Sequence, residues 1–224
     1  MTISKLEIDL SIRDDIVSGE FRFGQSITID TLTSRYCVSH MQARKAVREL
    51  QGEGLVPIEP NRGARVRSID RSFVENLFEI RTAFEVMLVP RAAARCTPLD
   101  IAGLQAIEYT LEQYIVAGDH ALLAAENHRF HHAINRCAAN ADALPLVEKH
   151  WMLLDALWRH YGYGQDRFTG VASSHQNLIS ALAAPDQEAA SVILGAHATK
   201  AKLALLARIR AQAVPVVRPL RRRA

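Results

Sequence analysis

Three histidines stand on helix faces where imidazoles are seldom found. In the stretch 120–137, Leu123, Asn127, Phe130, His131 and Ile134 recur at helical spacing as one apolar stripe, while His128 and His132 point away from it. His175 falls on the stripe Val171, Leu178, Ile179 and Leu182, and His197 falls with Ala190, Ile193, Ala201 and Ala204. A buried polar ring needs a partner. Two arrangements satisfy all three rings. Each can hydrogen-bond its own core neighbour, which is the ordinary fate of a lone histidine. Alternatively the three converge on one divalent metal, with the Asn127 oxygen as a fourth ligand. Asn127 and His131 are i, i+4 and share a face, and three imidazoles with an open position suit Zn²⁺, Ni²⁺ or a similar ion. Nearby in chemistry, Arg81 and Glu85 lie on the stripe Val74, Leu77, Phe78, Phe84 and Leu88. A buried guanidinium must be neutralised, either by Glu85 one turn away or by the carboxylate of a bound ligand held in its planar fork. Trp151 and Trp158 read as core residues.

A second chemistry is carried by "SHMQARKAVRELQGEGLV", residues 39–56. Ala43, Ala46, Val47 and Leu50 make an apolar seam at i, i+3, i+4, i+7, opposite Arg44, Lys45 and Arg48. Ser39 and Gln42 are spaced as a capping box. A short capped helix with one cationic face fits the DNA major groove, with Ser39, His40, Met41, Gln42 and Arg44 at base edges and Lys45 and Arg48 on phosphates. Asn61, Arg62 and Gly63 would form the tip of a following hairpin and reach an adjacent groove or the backbone. A solvated basic face is the plainer account of the charges alone; cap, preceding helix and basic wing together favour DNA.

The elements that must position these residues are legible from the same pattern. Helices are predicted over 5–18, from Thr28 or Asp30 to about Tyr36, and from Ser39 to about Gly52. Two extended runs then flank the turn Pro60-Asn61-Arg62-Gly63. Beyond residue 70 the pattern is helical: 71–95, a helix opened by Thr97-Pro98, one capped by Asp119, then 143–161, 171–184 and 186–211. This gives a mainly α chain, an N-terminal winged helix-turn-helix over 1–68, an all-helical region over 69–212, and a basic, disordered tail over 213–224. Charge follows the same division. Residues 31–68 hold seven Lys and Arg against three Asp and Glu, and residues 69–207 hold eleven against fifteen. A basic front and an acidic middle point to modules with different partners. Three cysteines, Cys37, Cys96 and Cys137, form neither a disulfide framework nor a CxxC metal motif and fit a reducing compartment. There is no apolar signal core at the start, and no apolar run reaches the roughly 18 residues of a membrane span. A cytoplasmic protein is expected, with no membrane partner.

The front of the chain resembles the DNA-binding domain of GntR-type bacterial transcription regulators. The resemblance covers residues 8–68 and rests on Val38, Ser39, Arg44, Ala46, Leu50, Glu53, Gly54, Leu55, Val56, Gly63 and Val66. His40 stands where that pattern carries Arg, and Lys45 stands where it carries Glu. Cys37 stands where it carries Gly, so a positive φ is expected at the corner. Pro57 confines the first wing strand to an edge. Residues 72–210 resemble the FCD-type effector domain, on "NHRFHHAI", "SHQNLISAL" and His197. That resemblance implies a C-terminal antiparallel all-α helical bundle over 69–212 for effector binding and dimerisation, and it places Asn127, His131, His175 and His197 at metal-ligand positions and Arg81 at the effector pocket. Asn127 in place of an acid removes a negative charge and should weaken the metal site.

Together these features imply a homodimeric regulator, a repressor by expectation, that binds a pseudo-palindromic operator in double-stranded DNA. A small organic acid bound beside the divalent metal would control it. A metalloenzyme using the three histidines is the alternative from another class, although no acidic general base is evident beside His131. A metal-only sensor without an organic effector is a third reading.

Overall fold

The computed structural model describes residues 8–57, 64–163, 168 and 170–213. The head begins with α1 (Ile8–Ser18), which buries Ile8, Ile12 and Ile16 on one side. After the short strand β1 (Ser26–Ile27) comes α2 (Ile29–Tyr36), capped by Thr28, whose Oγ1 accepts from the Thr31 amide at 3.0 Å. The chain leaves α2 through Cys37 at φ 54°, the positive φ expected there. A Cβ in the left-handed region costs roughly 1–2 kcal/mol, so the corner is held against its own preference. The next helix, α3 (His40–Glu53), opens on the expected capping box: Ser39 Oγ accepts from the Gln42 amide at 3.3 Å, and Gln42 Oε1 accepts from the Ser39 amide at 3.0 Å. It ends at Gly54, φ 83°.

The wing carries a pairing beyond the local hairpin that the spacing predicts, whose turn lies outside the described residues. Strand β2 (Ala64–Arg65) pairs antiparallel with β1, Ser26 opposite Arg65 and Ile27 opposite Ala64. On its other side the Arg67 amide donates to Leu55 O at 2.8 Å. The partner from before α2 is a long-range pairing that turn residues do not announce. Asn61, Arg62 and Gly63 lie outside the described residues.

The bundle follows as α4 (Arg71–Ala93), α5 (Pro98–Ala117), α6 (His120–Cys137), α7 (Leu144–Tyr161), α8 (Val171–Ala183) and α9 (Gln187–Ala213). Asp70, Thr97 and Asp119 cap α4, α5 and α6, and Thr97 forms a second capping box with Asp100. Along the bundle α4 packs on α9, α5 lies between α6 and α8, and α6 and α7 lie against α4. Ala213, expected in the tail, closes α9; residues 214–224 lie outside the described residues. By length and mean hydropathy α9 is sufficient to span a membrane. It is instead a core helix, burying Ala190, Leu194, Ala198, Ala201, Leu205 and Leu206.

Two large apolar cores result. One fills the bundle with Leu88, Leu104, Phe130, Val147, Leu178 and Leu194. The other starts in the head with Ile12, Ile16, Leu32 and Leu50, and continues without a break into Phe78 of α4, Leu154 and Trp158 of α7, and Leu205 of α9. Lys149 of α7 also donates to Gly52 O at 2.7 Å, placing a cation at the C-terminal end of α3, where the helix dipole favours it. Head and bundle are therefore packed, not merely tethered.

Candidate functional site

On α3 the buried seam is Ala43, Ala46, Val47 and Leu50, and the opposite face is open to solvent at His40, Met41, Arg44, Lys45 and Arg48. Met41 is 75% exposed, a large apolar side chain left uncovered beside three cations. Gln42 is half-buried and has its Oε1 committed to the cap, so what remains for a base edge is its amide nitrogen. Ser39 is likewise bound into the cap. His40 Nδ1 stands 3.7 Å from Asp30 Oδ1.

The three imidazoles converge. One nitrogen from each of His131 on α6, His175 on α8 and His197 on α9 lies within 4.8 Å of the others, and all three residues are buried. His131 Nε2 and His197 Nε2 are 3.3 Å apart. His175 Nδ1 meets Glu108 Oε2 of α5 at 2.7 Å. The arrangement puts an acid behind a histidine; when ionised, Glu108 fixes the tautomer and turns Nε2 toward whatever the ring ligates. His131 Nδ1 has a weaker counterpart, Glu85 Oε1 at 3.6 Å. Burial above all, with Arg81, His197 and His175 adding to it, holds His131 well below the usual imidazole range, so the ring is neutral and its lone pair is available. Burial, reinforced by Glu112, pushes the Glu108 carboxyl up to about 8. Asn127, 3% exposed and one turn before His131, has an Oδ1 with no hydrogen-bond partner among the described residues. A buried carbonyl oxygen without a donor is costly; a cation would satisfy it. The three imidazole nitrogens are close enough together to fit one divalent metal.

Arg81 takes the first arrangement weighed for it, the pair with Glu85. Its Nη2 is 3.0 Å from Glu85 Oε2 and donates to Oε1 at 3.4 Å, and the guanidinium lies 3.8 Å over the Trp151 ring. Its Nε has no partner among the described residues, and Arg81 lines a small cavity with Asn127, His128, Trp151, Trp158 and Tyr163. Space for water centres there is about 20 Å³, enough for about one ordered water. Organic ligands occupy pockets of roughly 300 Å³ and more, so a metabolite enters only if a wall moves. Trp151 and Trp158, read as core, are buried and line this cavity as well.

Sequence reasoning missed the acids that stand behind the histidines. Glu85 does stand beside His131, but it already accepts from Trp151 Nε1 at 3.0 Å and pairs with Arg81, so it is not a free base. Glu108 had a visible signal, an acid on the buried stripe Leu104, Ile107 and Leu111. His128 and His132 both bind Glu148 of α7, His128 Nε2 at 2.9 Å from Oε2. Burial works to raise Glu148, but the two histidine bonds outweigh it and hold the carboxyl below its usual value. His128 also stacks on Trp151, centroids 4.9 Å apart.

The profile described as "Bacterial regulatory proteins, gntR family" matches residues 5–66, and that of the FCD domain matches residues 76–200, more than half of the chain. This chain belongs to the GntR family, with an FCD domain. It is a DNA-binding transcriptional regulator. Among curated relatives, this GntR/FCD regulator is 34% identical over 95 residues to the HTH-type transcriptional repressor GlaR of Escherichia coli K12; that match covers 42% of this chain and 43% of GlaR. It is 23% identical over 186 residues to the HTH-type transcriptional regulator McbR of the same organism, covering 82% of this chain and 84% of McbR. The solved structure of E. coli McbR/YncC superposes with a TM-score of 0.75 at 19% identity, covering 92% of this chain and 98% of that one. A GntR regulator from Rhodococcus sp. RHA1 gives 0.70 at 20% identity, covering 91% and 97%. At these identities the structures speak to the fold alone.

Proposed function

We propose that this regulator is a cytoplasmic, homodimeric repressor, with residues 1–68 as its reading head and residues 69–212 as its sensing bundle, released from or locked onto its operator by a small organic acid. The observation that carries the sensing half is the meeting of three buried imidazoles, with Asn127 one helical turn before His131 and its Oδ1 unsatisfied among the described residues. Asn127, His131, His175 and His197 would hold Zn²⁺ or Ni²⁺, borderline ions that suit nitrogen donors. When bound, the metal supplies a Lewis-acidic anchor for a carboxylate. Arg81 offers its Nε and fixed positive charge on the cavity wall, Glu85 and Trp151 hold that guanidinium in place, and the buried surround excludes water. An effector shifts the head only through unequal affinity for two arrangements of the molecule.

For the head, Ser39, His40, Met41, Gln42 and Arg44 are assigned to base edges, and Lys45 and Arg48 to phosphates, with Asn61, Arg62 and Gly63 at the wing. Two copies related by a twofold axis match a pseudo-palindrome. GlaR, a named repressor 34% identical over 95 residues, favours repression. The test is fluorescence anisotropy on DNA from upstream of the regulator's own gene, across a salt series. Arg44→Ala should cost about 1–3 kcal/mol per half-site and relax sequence preference. Lys45→Ala should weaken all sequences alike and flatten the salt slope by about 1 per lost phosphate contact. Binding that ignores both sequence and salt overturns the assignment.

The narrow cavity favours a second reading, a metal-only sensor. In that case carboxylates change neither the melting temperature nor the DNA affinity of the metal-loaded protein, whereas the metal alone changes both.

A further inference from the structure

We propose that the groove between α5 and α8 binds a short organic diamine, with one ammonium on the buried Glu108 carboxylate and the other at Glu112. Gln105, Glu108, Tyr109 and Glu112 recur at i, i+3, i+4, i+7 on α5 and so share one face. Gln176, Ile179 and Ser180 recur at i, i+3, i+4 on α8, and together the two faces line a depression of about 400 Å³. That is the size of a small-molecule pocket. It far exceeds the space beside Arg81, with which it shares no lining residue.

Glu108 is the residue that points to a ligand. It is 3% exposed, yet it lines the groove, and its Oε1 has no hydrogen-bond partner among the described residues. Its Oε2 is taken by His175 Nδ1 at 2.7 Å. A buried acid with one oxygen unsatisfied and no cation at hand is costly, and the described lining of the groove holds two carboxylates and no Lys or Arg. Glu112 accepts from Gln176 Nε2 at 2.7 Å, which holds the second carboxylate against α8. Ser180 spends its hydroxyl proton on Gln176 O at 2.9 Å, so its oxygen is left as an acceptor. An ammonium, with three donors and no acceptor, complements such a wall. Residues i and i+4 on a helix stand roughly 6 Å apart at Cβ, a separation that a four-carbon chain between two ammonium groups can bridge. Ile179 and the exposed ring of Tyr109 offer that chain apolar surface, and the ring face also attracts a cation. A bare metal ion would leave most of the groove empty. The groove and the three-histidine cluster share one carboxylate, since Glu108 faces both.

The full-length protein, stripped with a chelator, is titrated with 1,4-diaminobutane by isothermal titration calorimetry at constant ionic strength. Stripping keeps the histidine cluster free of metal, so this inference stands or falls separately from the metal reading. The expected result is saturable binding of one diamine per chain. Tetramethylammonium, a cation without an N–H, should not reproduce it. Glu112→Gln should weaken the diamine about tenfold, the worth of one hydrogen bond to a charged group. Glu108→Gln, which keeps the size of the side chain, should abolish binding. Glu112 is only half-buried, so its variant gives a reading even if Glu108→Gln fails to fold. The proposal is overturned if the diamine shows no saturable heat, if tetramethylammonium binds equally well, or if Glu112→Gln leaves the affinity where it was.

Discussion

Zn²⁺ or Ni²⁺ supplied at about a hundred to a thousand times its dissociation constant should stabilise the metal-stripped protein by about 3–4 kcal/mol, and His131→Ala should erase that gain. In a chain of this size the shift is about 6–16 °C in the thermal midpoint. The expectation rests on the donor set. His131, His175 and His197 already bring their nitrogens within 4.8 Å, so little ordering remains to be done when an ion arrives. Asn127→Asp should tighten binding further, because it restores a negative charge at a position whose present oxygen is satisfied by nothing else among the described residues. Differential scanning fluorimetry with and without a chelator decides the matter; a midpoint indifferent to every divalent ion tried would remove the metal from the account. Acid should act on the metal-free form in a defined direction. The unfolded chain protonates His131 near its ordinary value of 6.5, whereas the folded chain does so only well below it. The unfolded state therefore holds the extra proton as pH falls below 6.5. The contribution of this group to stability is complete above that value and is lost toward the folded one.

Arg81→Ala should destabilise the protein by about 3–5 kcal/mol, the usual cost of stranding one member of a buried ion pair. Glu85 is 1% exposed, and Trp151 Nε1 is the other donor recorded on its Oε1. Removing the guanidinium leaves a carboxylate in the core and strips the cation from the face of Trp151. The double variant Arg81→Met with Glu85→Leu should recover most of the loss, since a well-packed apolar pair often replaces a buried ion pair without cost. Urea denaturation measures both, provided the slope with denaturant is unchanged. A loss below about 1 kcal/mol for Arg81→Ala would mean that the pair is not buried in solution. If the double variant is stable yet blind to carboxylates, Arg81 is retained for ligand recognition, not for folding.

Local signals served this chain well where the structure is local. Ser39 with Gln42, and Thr97 with Asp100, announced two helix starts to the residue, because a capping box is a short-range exchange of hydrogen bonds. Cys37 announced its left-handed φ through the glycine it replaces in the family pattern. The three converging histidines were visible as polar rings on apolar stripes. What escaped was whatever depends on which helices meet. Nothing near β2 says that it pairs with β1, and nothing in α6 says that His128 will rest on Trp151 and share Glu148 with His132. The roles of Glu85 and Glu108 behind the histidines likewise follow from the packing of α4 on α6 and of α5 on α8. Spacing gives the face of a helix but not its neighbour.

Trp158 belongs to the apolar core that begins in the head, and it also borders the cavity beside Arg81. Reader and sensor consequently share a party wall. A guest too large for the present space must push that wall, and Ile12 and Ile16 rest in the same continuous seam. On the proposed function, the tilt of α3 would then be governed by volume inside the bundle, as a piston is, and not by slack in a connecting thread.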